Sequence, residues 1–196
     1  MVDLITNFLT ADIRTATPLL LAALGLVFSE RAGIVNIGTE GIMLIGALLG
    51  CVGASFSGSS LVGALTAIFG GLVMSLIFAF FTITLRSNQI VVGTAFNIFA
   101  GGFTITLNRL LLNGAKVKGY VNLPVPGLSK IPVAGDVLFN WSLPVYFAFI
   151  CVPLCWFVLQ RTNIGLKVRA VGEYPKACDT VGINVFRIRY GAVLFS

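Results

Sequence analysis

The 196-residue chain is 57% hydrophobic and only 10% charged, with a mean hydropathy of +0.99, whereas soluble globular domains carry about 25% charged residues. This composition excludes an ordinary soluble domain, and the lack of any histidine argues against a proton-shuttling or histidine-metal enzyme site. The net charge of +6 does not call for nucleic acid, because the basic residues border apolar runs, where the positive-inside rule accounts for them.

Residues 1–14 do not read as a signal peptide: Asp3 and Asp12 replace the basic start, and no small-residue cleavage site follows. The first uncharged run, Thr15–Ser29, falls short of the roughly 20 residues that a bilayer core asks for. It spans with help from its flanks, or as part of a broken element. The polar stretch SERAGIVNIGTEG, residues 29–41, interrupts the apolar sequence next. Thr39 or Asn36 is placed to cap a helix beginning near Glu40, whose carboxylate also suits the positive helix end. The competing reading is a discontinuous helix pair that puts Asn36 and Glu40 on a substrate path.

Four longer uncharged runs follow, Gly41–Ser60, Leu61–Leu85, Ser87–Asn108 and Trp141–Gln160. They read as helices rather than barrel strands, since LVGALTAIFGGLVMSLIFAFF is apolar on every side instead of alternating. Gly46 and Gly50, then Gly63, Ala67 and Gly71, then Gly93, Asn97 and Gly101 recur at four-residue spacing. Such rows let helix backbones approach closely in lipid. Asn97 lies mid-run on the face of Gly93 and Gly101, either lining a path or making an interhelical hydrogen bond. Asn88 and Gln89 open the same run, where helix capping competes with a path role.

Residues 113–140, rich in Pro and Gly, read as a compact, partly ordered surface loop. Residues 161–189 read as a second loop with six basic and two acidic residues. Its charge argues for the cytoplasm, which places Arg86 and the 29–41 stretch on the same side and the N-terminus outside. Within it, residues 173–182 carry the punctuation of a short helix, with Pro175 suited to the first position and Gly182 to the C′ position. Such a helix, surrounded by Arg169, Lys176, Arg187 and Arg189, docks a partner protein or rests on anionic headgroups. Cys51, Cys151 and Cys155 lie in apolar runs and Cys178 in the polar loop; they read as packing residues, and no metal site is expected. RYGAVLFS at the C-terminus reads as the entry to a sixth span that stops short. No Walker A glycine loop is present, so ATP binding by that route is not expected. The expected fold is an all-α polytopic membrane bundle of about five spans, with the sixth cut off, in one incomplete domain over residues 1–196.

Two segments, ERAGIVNIGTEGIMLIGA and RAVGEYPKACDTVGI, resemble signatures of ABC-importer permeases serving branched-chain amino acids, simple sugars and nucleosides. SNQIVVGTAFN, PVPGLSKIPVAGDVLFN and NIGLKVRAVGE are most similar to the bacterial nucleoside permeases of that branch. The resemblance implies a permease of the bacterial plasma membrane that does no covalent chemistry. It implies work beside a second permease subunit, two cytoplasmic ATPase subunits that carry ATP and Mg, and an extracytoplasmic substrate-binding lipoprotein. By the same resemblance the stretch around Arg169–Ile183, with Gly172, Glu173, Pro175, Lys176, Asp179 and Gly182, is the element that couples to an ATPase subunit. Asn36, Glu40, Asn88, Gln89 and Asn97 are the candidate path residues. Permeases of this family run substantially longer, so the chain is expected to hold the first two thirds of one. The rival class, an ion-coupled secondary transporter or channel subunit, requires an intramembrane carboxylate. Only Glu30 and Glu40 come near that requirement, both at a span boundary.

Overall fold

Glycines in the left-handed region and small-residue contacts set where the helices of this chain end and how closely they pack. The computed structural model describes residues 2–112, 122–124 and 140–196. Helix α1 spans Val2–Arg31, α2 Thr39–Ser57, α3 Ser60–Ala79 and α4 Gln89–Leu107. Helices α3 and α4 each run on into a π-helical stretch, Phe80–Thr84 and Asn108–Leu112. Strands β1 (Asn122–Pro124) and β2 (Asn140–Ser142) pair antiparallel with Leu123 opposite Trp141. The rest of the expected 113–140 loop lies outside the described residues. Helices α5 (Leu143–Arg161), α6 (Asn163–Glu173), α7 (Pro175–Thr180) and α8 (Val185–Phe195) complete the described chain.

Among the described residues five helices are long and apolar enough to cross a membrane: Leu4–Arg31, Thr39–Ser57, Ser60–Thr84, Gln89–Leu112 and Leu143–Arg161. The shortest have 19 residues, and at 1.5 Å per residue that gives about 28 Å, close to the thickness of a hydrocarbon core. Large apolar side chains such as Phe56 and Ile98 stand almost fully exposed on them. An outer surface of that kind suits lipid or other membrane segments. The chain is an all-α multi-pass membrane protein. The short run Thr15–Ser29 reaches spanning length because its flanks continue the same helix from Val2 to Arg31. The break comes after it, at residues 32–38.

Residues 161–189, expected as a loop with one short helix, are helical almost throughout. The expected short helix is α7, while α6 and the start of α8 were hidden. Helix α6 buries only a narrow face, Gly165, Val168 and Val171, so its apolar stripe is thin against Lys167, Arg169 and Glu173.

The described chain falls into two compact units, Met1–Leu24 with Tyr120–Phe157, and Gly25–Gly119 with Val158–Ser196. In the first, Trp141, Val145, Ala148 and Cys155 are buried. In the second, α2 and α3 form a hairpin turned by Gly58 at φ 67. Their contact is made of small residues. A Cβ on Gly63 would meet Gly50 O and Ala54 Cβ at 2.8 Å, and one on Gly50 would meet Ala67 Cβ at 3.1 Å. The approach lets the Thr66 hydroxyl donate to Leu49 O across the helices at 3.0 Å. Since lipid tails are as apolar as leucine, such packing and hydrogen bonding hold the pair together rather than hydrophobic force.

Gly63→Val should therefore lower the stability of the protein by about 1–3 kcal/mol, as overpacking does. Gly101→Ala, where a Cβ meets nothing within 4 Å, should leave stability unchanged or slightly higher. Thermal unfolding of the two variants in the same detergent checks the contrast.

Candidate functional site

The site is built on the end of one helix and the start of the next. Gly33, at φ 81, ends α1 in a left-handed turn. The Ile34 N–H donates to Ser29 O and the Gly33 N–H to Glu30 O, both at 2.9 Å. This paired arrangement is a Schellman cap, which satisfies carbonyls the helix would otherwise leave open. Residues 34–36 then follow without regular structure and turn at Ile37, whose N–H donates to Val35 O at 3.2 Å, with Ile34 and Asn36 buried and Val35 and Ile37 exposed.

Helix α2 starts at Thr39 with Gly38 as its N-cap, and no side chain of that segment caps it. The expected cap from Thr39 or Asn36 is therefore corrected. The Thr39 hydroxyl instead donates back to Asn36 O at 2.8 Å, because Thr39 already stands inside the first turn. The cap comes from α4. Asn97 Oδ1 accepts from the Gly41 N–H at 2.8 Å, and Asn97 Nδ2 donates to Ile37 O at 3.0 Å. One side-chain amide thus bonds the backbone on either side of Gly38, the N-cap of α2.

Glycine makes that approach possible. A Cβ on Gly93 would lie 2.8 Å from Ile37 Cβ, and one on Gly41 would lie 2.9 Å from Phe96 O. Of the row Gly93, Asn97 and Gly101, the first two pack the break and Gly101 faces open space. Gln89 adds a second tie, its Oε1 accepting from the Val35 N–H at 2.8 Å. Asn88 caps α4 itself, its Oδ1 accepting from the Ile90 N–H at 2.9 Å. Beneath the segment, Ile34 packs with Phe78, Ala79, Ile83 and Val193, and Phe78 meets Phe96 edge-on at 5.7 Å. Asn97 lies eight residues beyond Gln89, so α2 begins about 12 Å along α4 rather than level with its start.

Asn36 is 3% exposed. Its Nδ2 donates to Ser196 Oγ at 3.1 Å, while its buried Oδ1 has no partner among the described residues. Glu40 is exposed in the first turn of α2, where a carboxylate complements the positive helix end. Of the five expected path residues, Asn36, Gln89 and Asn97 gather on the break, Glu40 stands at its rim, and Asn88 is a helix cap.

Of the residues expected to couple, Gly172 reaches the end of α1. Gly172 of α6 lies so close to Arg31 O that any Cβ would collide with it. Arg189 of α8 donates from Nε to Ala32 O at 3.3 Å. Pro175 opens α7 at its first turn. Gly182, at φ 81, closes it with a second Schellman cap, Gly182 N–H to Asp179 O at 3.1 Å and Ile183 N–H to Cys178 O at 3.0 Å. Cys178 is not in a polar loop but buried within α7, packed with Val171 and Val185. Glu173, Lys176 and Asp179 are exposed. Arg169 is half-buried, with Nη1 3.4 Å from Gln160 Oε1 and a buried Nε without a partner among the described residues. Ser196 and Phe78 were not singled out by sequence and Arg189 only as a basic residue around the short helix, and nothing local in the sequence marks their contacts with the break.

Against known families, the model described as branched-chain amino acid transport system / permease component matches residues 8–196. The chain belongs to that family. It is 39% identical over 211 residues to the guanosine ABC transporter permease protein NupQ of Bacillus subtilis (strain 168), covering 100% of this chain and 65% of that one. It is 40% identical over 194 residues to the nucleoside ABC transporter permease protein NupC of Lactococcus lactis subsp. cremoris (strain MG1363), covering 92% and 60%. A putative glucose ABC transporter permease protein, TsgC13 of Haloferax volcanii, is 38% identical over 192 residues, covering 96% and 58%. The chain thus spans between 58% and 65% of the length of these relatives. No solved structure matches it.

Removing the bridge should be costly. Asn97→Leu leaves the Gly41 N–H and the Ile37 carbonyl without their partner, at about 1–3 kcal/mol per group buried. Asn88→Ala, which removes only a helix cap, should cost about 1 kcal/mol. Unfolding both variants in detergent against the parent protein checks that order.

Proposed function

We propose that the chain forms the membrane path of an ABC-importer permease for nucleosides or related simple sugars. It works with a second permease subunit, two ATPase subunits that hold ATP and Mg, and an extracytoplasmic substrate-binding lipoprotein. The family match over residues 8–196 carries this reading. The names of two relatives, one for guanosine and one for nucleosides, favour a nucleoside over a sugar. On this reading residues 161–189 face the cytoplasm and the N-terminus lies outside, in accord with the six basic residues of that stretch.

The coupling element is α7 with the end of α6, presenting Glu173, Lys176 and Asp179 to an ATPase subunit. Arg169, Gly172, Pro175 and Gly182 hold it in shape. Movement of α6 and α7 when the ATPase subunits close is passed on at two points, Gly172 against Arg31 O and Arg189 on Ala32 O. The first is at the end of α1 and the second on the break that Gln89 and Asn97 tie to α4. The proposed route therefore needs no long chain of intermediaries between the ATPase side and the path. Within the path, Glu40 offers its carboxylate, whereas both ends of the Asn97 amide are engaged on backbone. Asn97 and Gln89 then position the break, and Asn36 lies behind it.

Uptake of labelled nucleosides and sugars by the complete reconstituted system tests the substrate class, with nucleoside uptake expected to exceed sugar uptake. Glu173→Lys and Asp179→Lys should lower co-purification of the ATPase subunits and uptake together, while the binding protein still docks outside. Normal co-purification and uptake in both variants would remove the coupling assignment.

A further inference from the structure

Three cations from three parts of the chain converge on one cleft beside the break. Arg86 comes from the turn between α3 and α4, Lys176 from α7 and Arg189 from α8, and they line a cavity of about 350 Å³. Among the described residues Asp179 is its one carboxylate, so that lining carries a surplus of positive charge. Among the described residues, Arg86 and Lys176 have no ion-pair or hydrogen-bond partner to spend that charge on. Arg189 commits Nε to Ala32 O, which fixes the guanidinium and leaves its remaining N–H groups as donors. Ser87 and Gln89 add a hydroxyl and an amide to the wall, and the Gln89 amide is held by its bond to Val35.

Arg86 stands at φ 53, the one described non-glycine residue with positive φ. Such a backbone is costly for a side chain of this size and clusters at sites where position matters. The Ser87 N–H closes the turn by donating to Phe81 O at 3.1 Å, so Arg86 is held beside the cleft rather than free to swing with a loop. The rest of the lining includes the apolar side chains of Ile34, Ile83, Val185 and Phe186, and Phe186 is about half exposed. A cleft that sets cations beside apolar side chains, on a chain that spans a membrane, matches an amphiphile with an anionic head. Basic pockets between membrane helices bind phospholipid head groups in this way.

We propose that Arg86, Lys176 and Arg189 form a site for a phosphate monoester or diester group, supplied by an anionic phospholipid. Occupied, it ties α7 and α8 to the α3–α4 turn through a shared anion. The site makes the protein sensitive to the anionic lipid content of its membrane. The inference rests on the membrane spans and the cleft, not on the coupling role proposed for α7.

The test measures lipid retention with no ATPase subunit present, so its outcome does not depend on coupling. The protein is reconstituted in nanodiscs of phosphatidylcholine doped with phosphatidylglycerol, and retained lipid is counted by native mass spectrometry after release. Phosphatidylglycerol should be retained in preference. Arg86→Asn, which keeps a residue tolerant of positive φ, and Lys176→Gln should each weaken retention about fivefold, the effect of roughly one basic residue near a lipid surface. Lys176→Arg should restore it, and Lys167→Gln, on α6 and outside the cleft, should not change it. Circular dichroism and size-exclusion profiles identical to the parent exclude misfolding of the variants.

A second arm adds inorganic phosphate to the detergent-solubilised protein and follows ³¹P line broadening. Broadening that Lys176→Gln abolishes, without preference for phosphatidylglycerol, keeps the anion site and assigns it to a solute instead of a lipid. Equal retention of both lipids with no phosphate response overturns the proposal. So does an equal loss in Lys167→Gln, which would mean surface charge alone. Loss of ATPase co-purification in Arg86→Asn with unchanged lipid retention also overturns it, by assigning the cleft to a partner's acidic segment.

Discussion

One side-chain amide, that of Asn97, holds the feature on which the rest of the second unit depends. A break between two apolar helices exposes backbone N–H and C=O groups, and in a low-dielectric setting each unpaired group costs several kcal/mol. Over residues 32–38 the accounting nearly closes. Five of the seven N–H groups donate, those of Ala32, Gly33, Ile34, Val35 and Ile37. Five of the seven carbonyls accept, those of Ala32, Val35, Asn36, Ile37 and Gly38. The partners come from α1, α2, α4 and α8, so the break is not a local turn but a junction assembled by the surrounding helices. Asn97 joins the end of the break to the first turn of α2, accepting from Gly41 N and donating to Ile37 O.

That construction explains why the glycines fall where they do. Gly93 and Gly41 bring α4 to hydrogen-bonding distance of the break, and Gly172 brings α6 against the end of α1. Larger residues at these positions would push back the elements whose polar groups complete the junction. The proposed transport mechanism takes its economy from the same arrangement, since the candidate coupling helices and the candidate path residues are attached to one short segment. The cationic cleft lies beside it, lined by the α3–α4 turn and by α7 and α8.

The spans were legible in the sequence because length and uncharged composition are enough to mark a membrane helix. Asn97 was legible as a suspect, being polar within an apolar run and on the face of Gly93. Its partner was not, because Gly41 lies 56 positions away and no local pattern links the two. The expectation that Thr39 or Asn36 caps α2 failed for a related reason. Capping rules assume that a helix supplies its own cap, and here Gly38 leaves that role to α4. The ends of α7 were readable because Pro175 and Gly182 act through their own backbone geometry. Helix α6 was not, since its buried stripe of Gly165, Val168 and Val171 is too narrow to show among charged neighbours.

The most direct test of the central claim is a solid-state NMR dipolar measurement on the protein in lipid bilayers, between ¹⁵N at Asn97 Nδ2 and ¹³C at the Ile37 carbonyl. The bridging account predicts a separation of about 4 Å, as a direct hydrogen bond to that carbonyl requires. A separation beyond about 6 Å, too long for any direct hydrogen bond, would contradict it and leave the break held by some other means.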